Sequence, residues 1–188
     1  MLDPATGTHQ LTRLREMTPA RLARVHALGL FSEPDPEFDR FASALARESG
    51  TDEAMAMVNF LGDRQYFAGL WVPPSARDDG TITMSRVMSL EHGWCPEVVD
   101  RGKALPLYDV CLSPRFRTNE VANEFGIRTY MGAPLFDPQD PTLPIGTVCV
   151  IGRQPRPKED GEQMLAFIKE RAQQAQFLLN SRVHEQLM

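Results

Sequence analysis

Apolar residues recur three and four positions apart at both ends of the chain. Between those ends they fall in short, nearly continuous runs. This layout predicts helices flanking a set of strands. Thr18-Pro19 starts one helix and Gly29 stops it, with Leu22, Val25 and Leu28 on one face. Asp35-Pro36 starts a second that runs to Gly50, its inner face being Phe38, Phe41, Ala42, Leu45 and Ala46. Met55–Leu61 and Gln65–Val72 then read as a hairpin around Gly62-Asp63-Arg64, with aromatic weight from Phe60, Tyr66, Phe67 and Trp71. Pro73 to Gly80 is loop by composition. Residues 96–102 suit a short helix, Leu105–Tyr108 a strand, and Ser113–Phe125 irregular structure with a helical turn or two. Two strands follow, Gly126–Leu135 and Ile145–Ile151, separated by a proline-rich turn from Pro138 to Pro144.

The last element is a long helix, about 158–187. Met164, Ile168, Ala172, Ala175, Leu179, Val183 and Leu187 fall three or four apart along it. The first half of that stripe is expected on the chain's own sheet. The far half is expected on a partner helix, which makes the protein a homodimer.

With 188 residues, the chain suits one core: an extension over 1–17 and a single domain over 18–188. A content of 42% hydrophobic and 24% charged residues is enough to bury that core. Even the run Met55–Leu61 is too short to span a bilayer, and no membrane partner is expected. The start Met1-Leu2-Asp3-Pro4 lacks a basic region followed by an apolar run, so no secretory signal is expected. Three cysteines without framework spacing point to a reduced, cytoplasmic setting. A net charge of −5 without a Lys/Arg stripe argues against nucleic acid as a partner.

The pair Gly126-Ile127-Arg128-Thr129-Tyr130-Met131-Gly132-Ala133-Pro134-Leu135 and Ile145-Gly146-Thr147-Val148-Cys149-Val150-Ile151 resembles the final strand pair of a GAF domain. Four other stretches are similar to the family in the same order. They are Leu28-Gly29-Leu30-Phe31 with Pro36 to Phe41, Asp63 to Phe67, Cys95 with Val98-Val99 and Gly102, and Asp109 with Ser113 to Phe116. The likeness spans roughly 22–178. It implies an α+β fold like that of profilin and PAS domains. An antiparallel sheet of five or six strands would carry the terminal helices on one face and a roofed ligand pocket on the other.

Some features depart from the pattern. Gly152 stands where the family's last strand usually runs into aspartate. There is no Asn-Lys-x-Phe-Asp-Glu motif of the cyclic-nucleotide-binding branch and no Asp-Ile-Pro motif of bilin-binding photoreceptors. No pattern supports heme on His92, so no cofactor is identified.

Several residues could carry chemistry. Cys95 would cap the helix begun by Pro96, where the helix dipole favours a thiolate, although Glu91, Glu97 and Asp100 oppose it. Cys95 could equally be a buried, inert small hydrophobe. Cys111 could approach Cys95 across the pocket as a redox partner, and Cys149, between valines, reads as core. His92 and Cys95 are spaced for metal binding, but His9, His26 and His184 supply no second half of a site, so none is expected. Arg115, Arg117 and Arg128 could meet an anionic ligand, or pair with Asp109, Glu120 and Glu124. Phe67, Trp71, Trp94, Tyr108, Phe116 and Tyr130 suit a pocket lining or plain core.

The resemblance implies a sensory or regulatory module that binds a small-molecule effector and signals through its helices or a partner protein. A thiol redox switch, an enzyme like the family's free methionine-R-sulfoxide reductases, and a dimerisation scaffold without ligand are the alternatives. The Cys111 position and Gly152 depart from the reductase pattern.

Overall fold

The structure is a computed structural model that describes residues 11–30, 34–78 and 85–186. His9, Phe31, Gly80 and Leu187, named above, lie outside the described residues. The elements are α1 (Thr12–Glu16), α2 (Thr18–Ala27), α3 (Pro36–Glu48), β1 (Met55–Leu61), β2 (Gln65–Trp71), α4 (Pro74–Asp78), β3 (Val87–Met88), α5 (Cys95–Arg101), β4 (Leu105–Leu107), α6 (Glu120–Glu124), β5 (Thr129–Asp137), β6 (Asp140–Gly152) and α7 (Gly161–Gln186). The six strands form one antiparallel sheet in the order β3-β2-β1-β6-β5-β4.

All seven residues of β1 are buried, as are the ten from Leu143 to Gly152 in β6. Both faces of the central strands are therefore apolar, and both need a cover. Ala56, Val58 and Phe60 of β1 join Val148 and Val150 of β6 and Met131 and Ala133 of β5 under α2, α3 and α7. Alternate residues of the same strands, Met55, Met57, Tyr130, Cys149 and Ile151, point the other way, towards α5 and α6. A Cβ on Gly69 would overlap the carbonyl of Phe38, so α3 lies close against β2 only because that position has no side chain. Asp35 caps α3 by accepting from the amides of Glu37 and Phe38, and it also pairs with Arg182 of α7, whose guanidinium lies 4.1 Å from the Phe38 ring centroid.

Several elements differ from the sequence expectation. Pro73 to Gly80 contains α4, a one-turn helix that proline can open. The Pro138–Pro144 turn is a tight one, with Asp137 opposite Asp140, and β6 runs through both later prolines. The ladder slips at this point, between Leu135 and Asp137, which accommodates residues without an N–H. Residues 12–16 form a helix against α5, and β3 adds a two-residue edge strand. On α2 the fully buried side chain next to Val25 is Arg21, while Leu22 is only half-buried.

The stripe of α7 is also used differently. Ala175, Leu179 and Val183 are buried in the chain's own core, so the stripe is covered internally in both halves. A second copy or a signalling partner would have to meet another surface.

Two polar side chains, half-buried Gln176 and fully buried Arg21, fasten irregular points. Phe136 lies opposite Pro144, which has no N–H to give it; Gln176 of α7 donates to the Phe136 carbonyl at 2.9 Å and accepts from its amide at 2.8 Å. Gln176 thus replaces the missing strand contact. Arg21, 0% exposed, donates to the carbonyls of Leu61 and Leu14 and to Thr18 Oγ1, each at 2.9 Å. Burial pulls this guanidinium down to about 10, with Asp100 opposing, so it is still charged at neutral pH.

Gln176→Leu keeps the shape but strands both backbone groups of Phe136, and it should cost about 2 kcal/mol in urea unfolding. Arg21→Met takes the side-chain donor from the Leu61 carbonyl, whereas the Leu14 carbonyl keeps Thr18 Oγ1 at 2.7 Å. The expected loss is about 2 kcal/mol, read as a lowered denaturant midpoint with an unchanged m-value.

Candidate functional site

On the side of the sheet away from α3 and α7, the roof consists of α5, α6 and the loop that leads into α5. Gln65 of β2 holds that loop from below, donating from Nε2 to the carbonyls of Ser89 and His92 at 2.7 Å each. Its Oε1 is occupied by Asn59 Nδ2 of β1 at 2.9 Å. Asn119, the cap of α6, holds the loop from the side with a pair of hydrogen bonds to Gly93. It accepts from the Gly93 amide at 2.9 Å and donates to its carbonyl at 2.8 Å. Gly93 has φ +73°, a conformation that favours glycine. Trp94 then folds under the roof, its indole N–H donating to the Phe116 carbonyl at 3.3 Å. The roof is fastened at each point by a named polar contact.

Beneath it lies a cavity of about 30 Å³, with Met57, Phe67, Met88, Trp94, Val121 and Ile151 among its walls. Cys95, Tyr130 and Cys149 also line it. The Cys95 and Cys149 sulfurs are 3.4 Å apart, and Met57 Sδ lies 3.8 Å from Cys149 Sγ. The Tyr130 hydroxyl donates towards Cys95 Sγ at 3.5 Å. That hydroxyl lies over Gly132, the strand neighbour of Cys149, where any Cβ would overlap it. A glycine at 132 is therefore what lets a tyrosine reach the thiols.

The two thiols are inequivalent. Cys95 is drawn down to about 6, chiefly by the hydrogen bond from the Cys149 thiol; burial opposes this, and Thr147, Tyr130 and Asn59 reinforce it. Thr147 Oγ1 is buried and has no other hydrogen-bonding partner. Cys149 is pushed well above its ordinary value by the same hydrogen bond to Cys95, by burial and by the charge on Cys95. The two thiols therefore titrate as a coupled pair, with the first ionisation favoured at Cys95. Tyr130 is pushed up by burial and by the charge of Cys95, so it stays a protonated donor.

The residues singled out in the sequence fall in different places. Phe67, Trp94, Cys95 and Tyr130 line the cavity. His92 sits at the roof's outer rim, its Nε2 2.9 Å from Glu120 Oε2. Phe116 packs at the edge of this cluster, whereas Tyr108 and Trp71 lie on the helix side of the sheet. Arg128 pairs with Asp109 at 2.5 Å, and Arg115 pairs with Glu97; both are therefore engaged with carboxylates of the chain. The hydrogen bond from Arg128 holds the Asp109 carboxyl below its ordinary range.

Cys111 is exposed on a 3-10 turn, so the thiol facing Cys95 is Cys149 instead. Cys95 is also the first residue of α5, with Trp94 at the cap position, and its acidity comes from neighbouring side chains. Asn59, Gln65 and Thr147 were missed in the sequence. Their signal was a polar residue at a buried position of an otherwise apolar strand. Among the described residues no group of three or more His, Cys, Asp or Glu could hold a metal, and no helix is long and apolar enough to cross a membrane.

Several solved structures share the fold. The free methionine-R-sulfoxide reductase of Neisseria meningitidis, solved with its substrate, superposes with a TM-score of 0.56 at 15% identity, covering 97% of this chain and 96% of that one. The GAF domain of an Acinetobacter phosphoenolpyruvate-protein phosphotransferase gives 0.52 at 16% identity, over 90% and 94%. The A. aeolicus nlh2 GAF domain, in an inactive state, gives 0.57 at 12% identity, over 90% and 99%. No curated protein matches the sequence. The GAF domain family model matches residues 33–178, most of the chain, and the α+β fold, a six-stranded antiparallel sheet with helices, matches that of the GAF-domain neighbours. The chain belongs to the GAF domain family.

Proposed function

We propose that this GAF domain is a regulatory module of a reducing compartment whose input is oxidation of the Cys95–Cys149 pair. The observation that carries this reading is the 3.4 Å contact between two sulfurs inside the pocket. Disulfide formation requires them to close to about 2.0 Å. Each thiol gives up a proton, the pair loses two electrons, and an external oxidant takes them. The GAF domain of the Acinetobacter phosphotransferase shares this fold.

Cavity size favours this reading over a larger effector. Small-molecule sites enclose roughly 300 Å³ or more, and this cavity encloses about 30 Å³. A free amino-acid sulfoxide, the substrate in a reductase-like reading, meets the same obstacle. The scaffold reading gives no role to an acidic thiol beside a second sulfur.

A route outward is present on α5. Bringing Cys95 towards β6 moves the first turn of α5, and Asp100 in its last turn accepts from the Leu14 amide of α1 at 2.8 Å. Leu14 also packs with Val99 of α5 and Leu61 of β1. The N-terminal helices are thus the elements placed to register the pair's state.

Refolding from urea in dithiothreitol buffers of graded potential, which gives the reagent access to both sulfurs before the roof closes, followed by acid quench, alkylation and peptide mapping, checks the reading. The expected product is an intramolecular Cys95–Cys149 link that forms in one two-electron step and changes hydrogen exchange in α1 and α5. Retention of both thiols at the most oxidising poise, or linkage through Cys111 alone, would overturn it. Ultraviolet thiolate absorbance, followed on a Cys111→Ser background, should titrate with a midpoint of about 6. Cys149→Ala removes the main cause of that lowering, so the midpoint should move upward.

A further inference from the structure

The cavity beside the two sulfurs is narrow and partly open to solvent, and its lining is almost without free polar groups. At about 30 Å³ it has room for one or two water-sized molecules. Of the polar side chains near it, Gln65 is fully engaged, donating to two loop carbonyls and accepting from Asn59. Apart from the two thiols, the Tyr130 hydroxyl that points at them and Gly93, the walls are aliphatic, aromatic or thioether side chains, and none carries a cation to pair with a charged oxidant. What can enter and react is a neutral oxidant close to water in size.

We propose that the cavity is a reaction chamber for hydrogen peroxide, with Cys95 as the attacking thiolate and Cys149 as the resolving thiol. This rests on the reading of the pair as the domain's redox input and adds the oxidant's class. The sulfur of Cys95 attacks one peroxide oxygen, the O–O bond breaks, and the electron pair leaves with the other oxygen as hydroxide. The Cys149 thiol, 3.4 Å away, gives its proton to that hydroxide. The Cys149 thiolate then attacks the sulfur of the Cys95 sulfenic acid. The S–O bond breaks, and the departing hydroxide recovers from solvent the proton that Cys95 lost on ionising. The two thiols and one peroxide become one disulfide and two waters.

The surroundings suit each step. The hydroxyls of Tyr130 and Thr147 flank Cys95. A donor there stabilises negative charge as it passes from sulfur to the leaving oxygen. The roof contacts from Gln65 and Asn119 keep larger reagents away from the sulfurs. Exposed Cys111 has no such roof and serves as an internal control within the same chain.

The test is a rate comparison on the reduced full chain, with hydrogen peroxide and cumene hydroperoxide as probes and mass mapping of quenched samples. At the Cys95–Cys149 pair, hydrogen peroxide should act about 100-fold faster than cumene hydroperoxide, because the bulky reagent cannot reach in-line geometry. At Cys111 the same two reagents should differ by less than about tenfold. In Cys149→Ala, Cys95 should gain one oxygen and persist as the sulfenic acid. Val121→Ala, which widens the chamber, should narrow the ratio at the pair.

Equal rates at the pair, or oxygen gained only at Cys111, would overturn the inference. The dithiothreitol titration keeps the two readings apart. If it yields the disulfide while the peroxides are not discriminated, only the chamber falls. If it yields no disulfide at any poise, the redox reading falls as well.

Discussion

A sheet whose central strands are apolar on both faces governs this molecule. β1 and the C-terminal ten residues of β6 are wholly buried, and an uncovered face of that kind exposes a large contiguous apolar area to water. One face is covered by three helices, the usual answer for an amphipathic helix. The other face has only short elements available, α5 and α6 with their loops, too short to be stable alone. Those elements are held by side chains that reach up from the sheet and across from α6. The roof is thus a consequence of the sheet's composition, and the thiol pair sits where roof and sheet meet.

Inward-facing polar groups appear where regular structure fails. Gln176 completes a ladder that Pro144 cannot complete, Arg21 ties the last carbonyl of β1 to the Leu14 carbonyl of α1, and Asn59 with Gln65 secures the roof loop. Each is paired to a specific partner, so each costs little when folded and much when its partner is lost. Asn59 Oδ1 and Thr147 Oγ1 are exceptions among these, both buried without a conventional partner, and the Thr147 hydroxyl lies beside the Cys95 sulfur. An orphan hydroxyl beside an acidic thiol is more easily explained by chemistry than by stability.

The outline of the fold was legible because local signals agreed with tertiary needs. Thr18-Pro19 and Asp35-Pro36 marked helix starts, Gly62-Asp63-Arg64 marked the hairpin, and the stripe of α7 marked its length. β3 and α1 were not legible, because two-residue strands and one-turn helices exist only through their tertiary contacts. The course of β6 through two prolines depended on Gln176, 32 residues beyond Pro144, and no local reading contains that. For the site, Cys95 stood out beside a proline at a helix start, whereas Cys149 between valines looked like core. Cys149 is indeed core, and its relation to Cys95 spans 54 residues of sequence. Pairing of that range comes from sheet register and roof placement, neither of which spacing reveals.

The arrangement also explains how a buried contact could have a distant effect. A ligand or modification shifts an equilibrium only if it favours one of two states. Here the reduced state holds two sulfurs in van der Waals contact, and the oxidised state needs them closer by more than an ångström. β6 lies between β1 and β5, paired on both sides, and cannot easily move. The short helix α5 rests on it and is joined to the N-terminal helices by Asp100 and Val99. Movement therefore falls on α5, and with it on α1, the neighbour it touches beyond the sheet. A strand paired on both sides, opposite a short helix, gives the proposed thiol switch a direction in which to act.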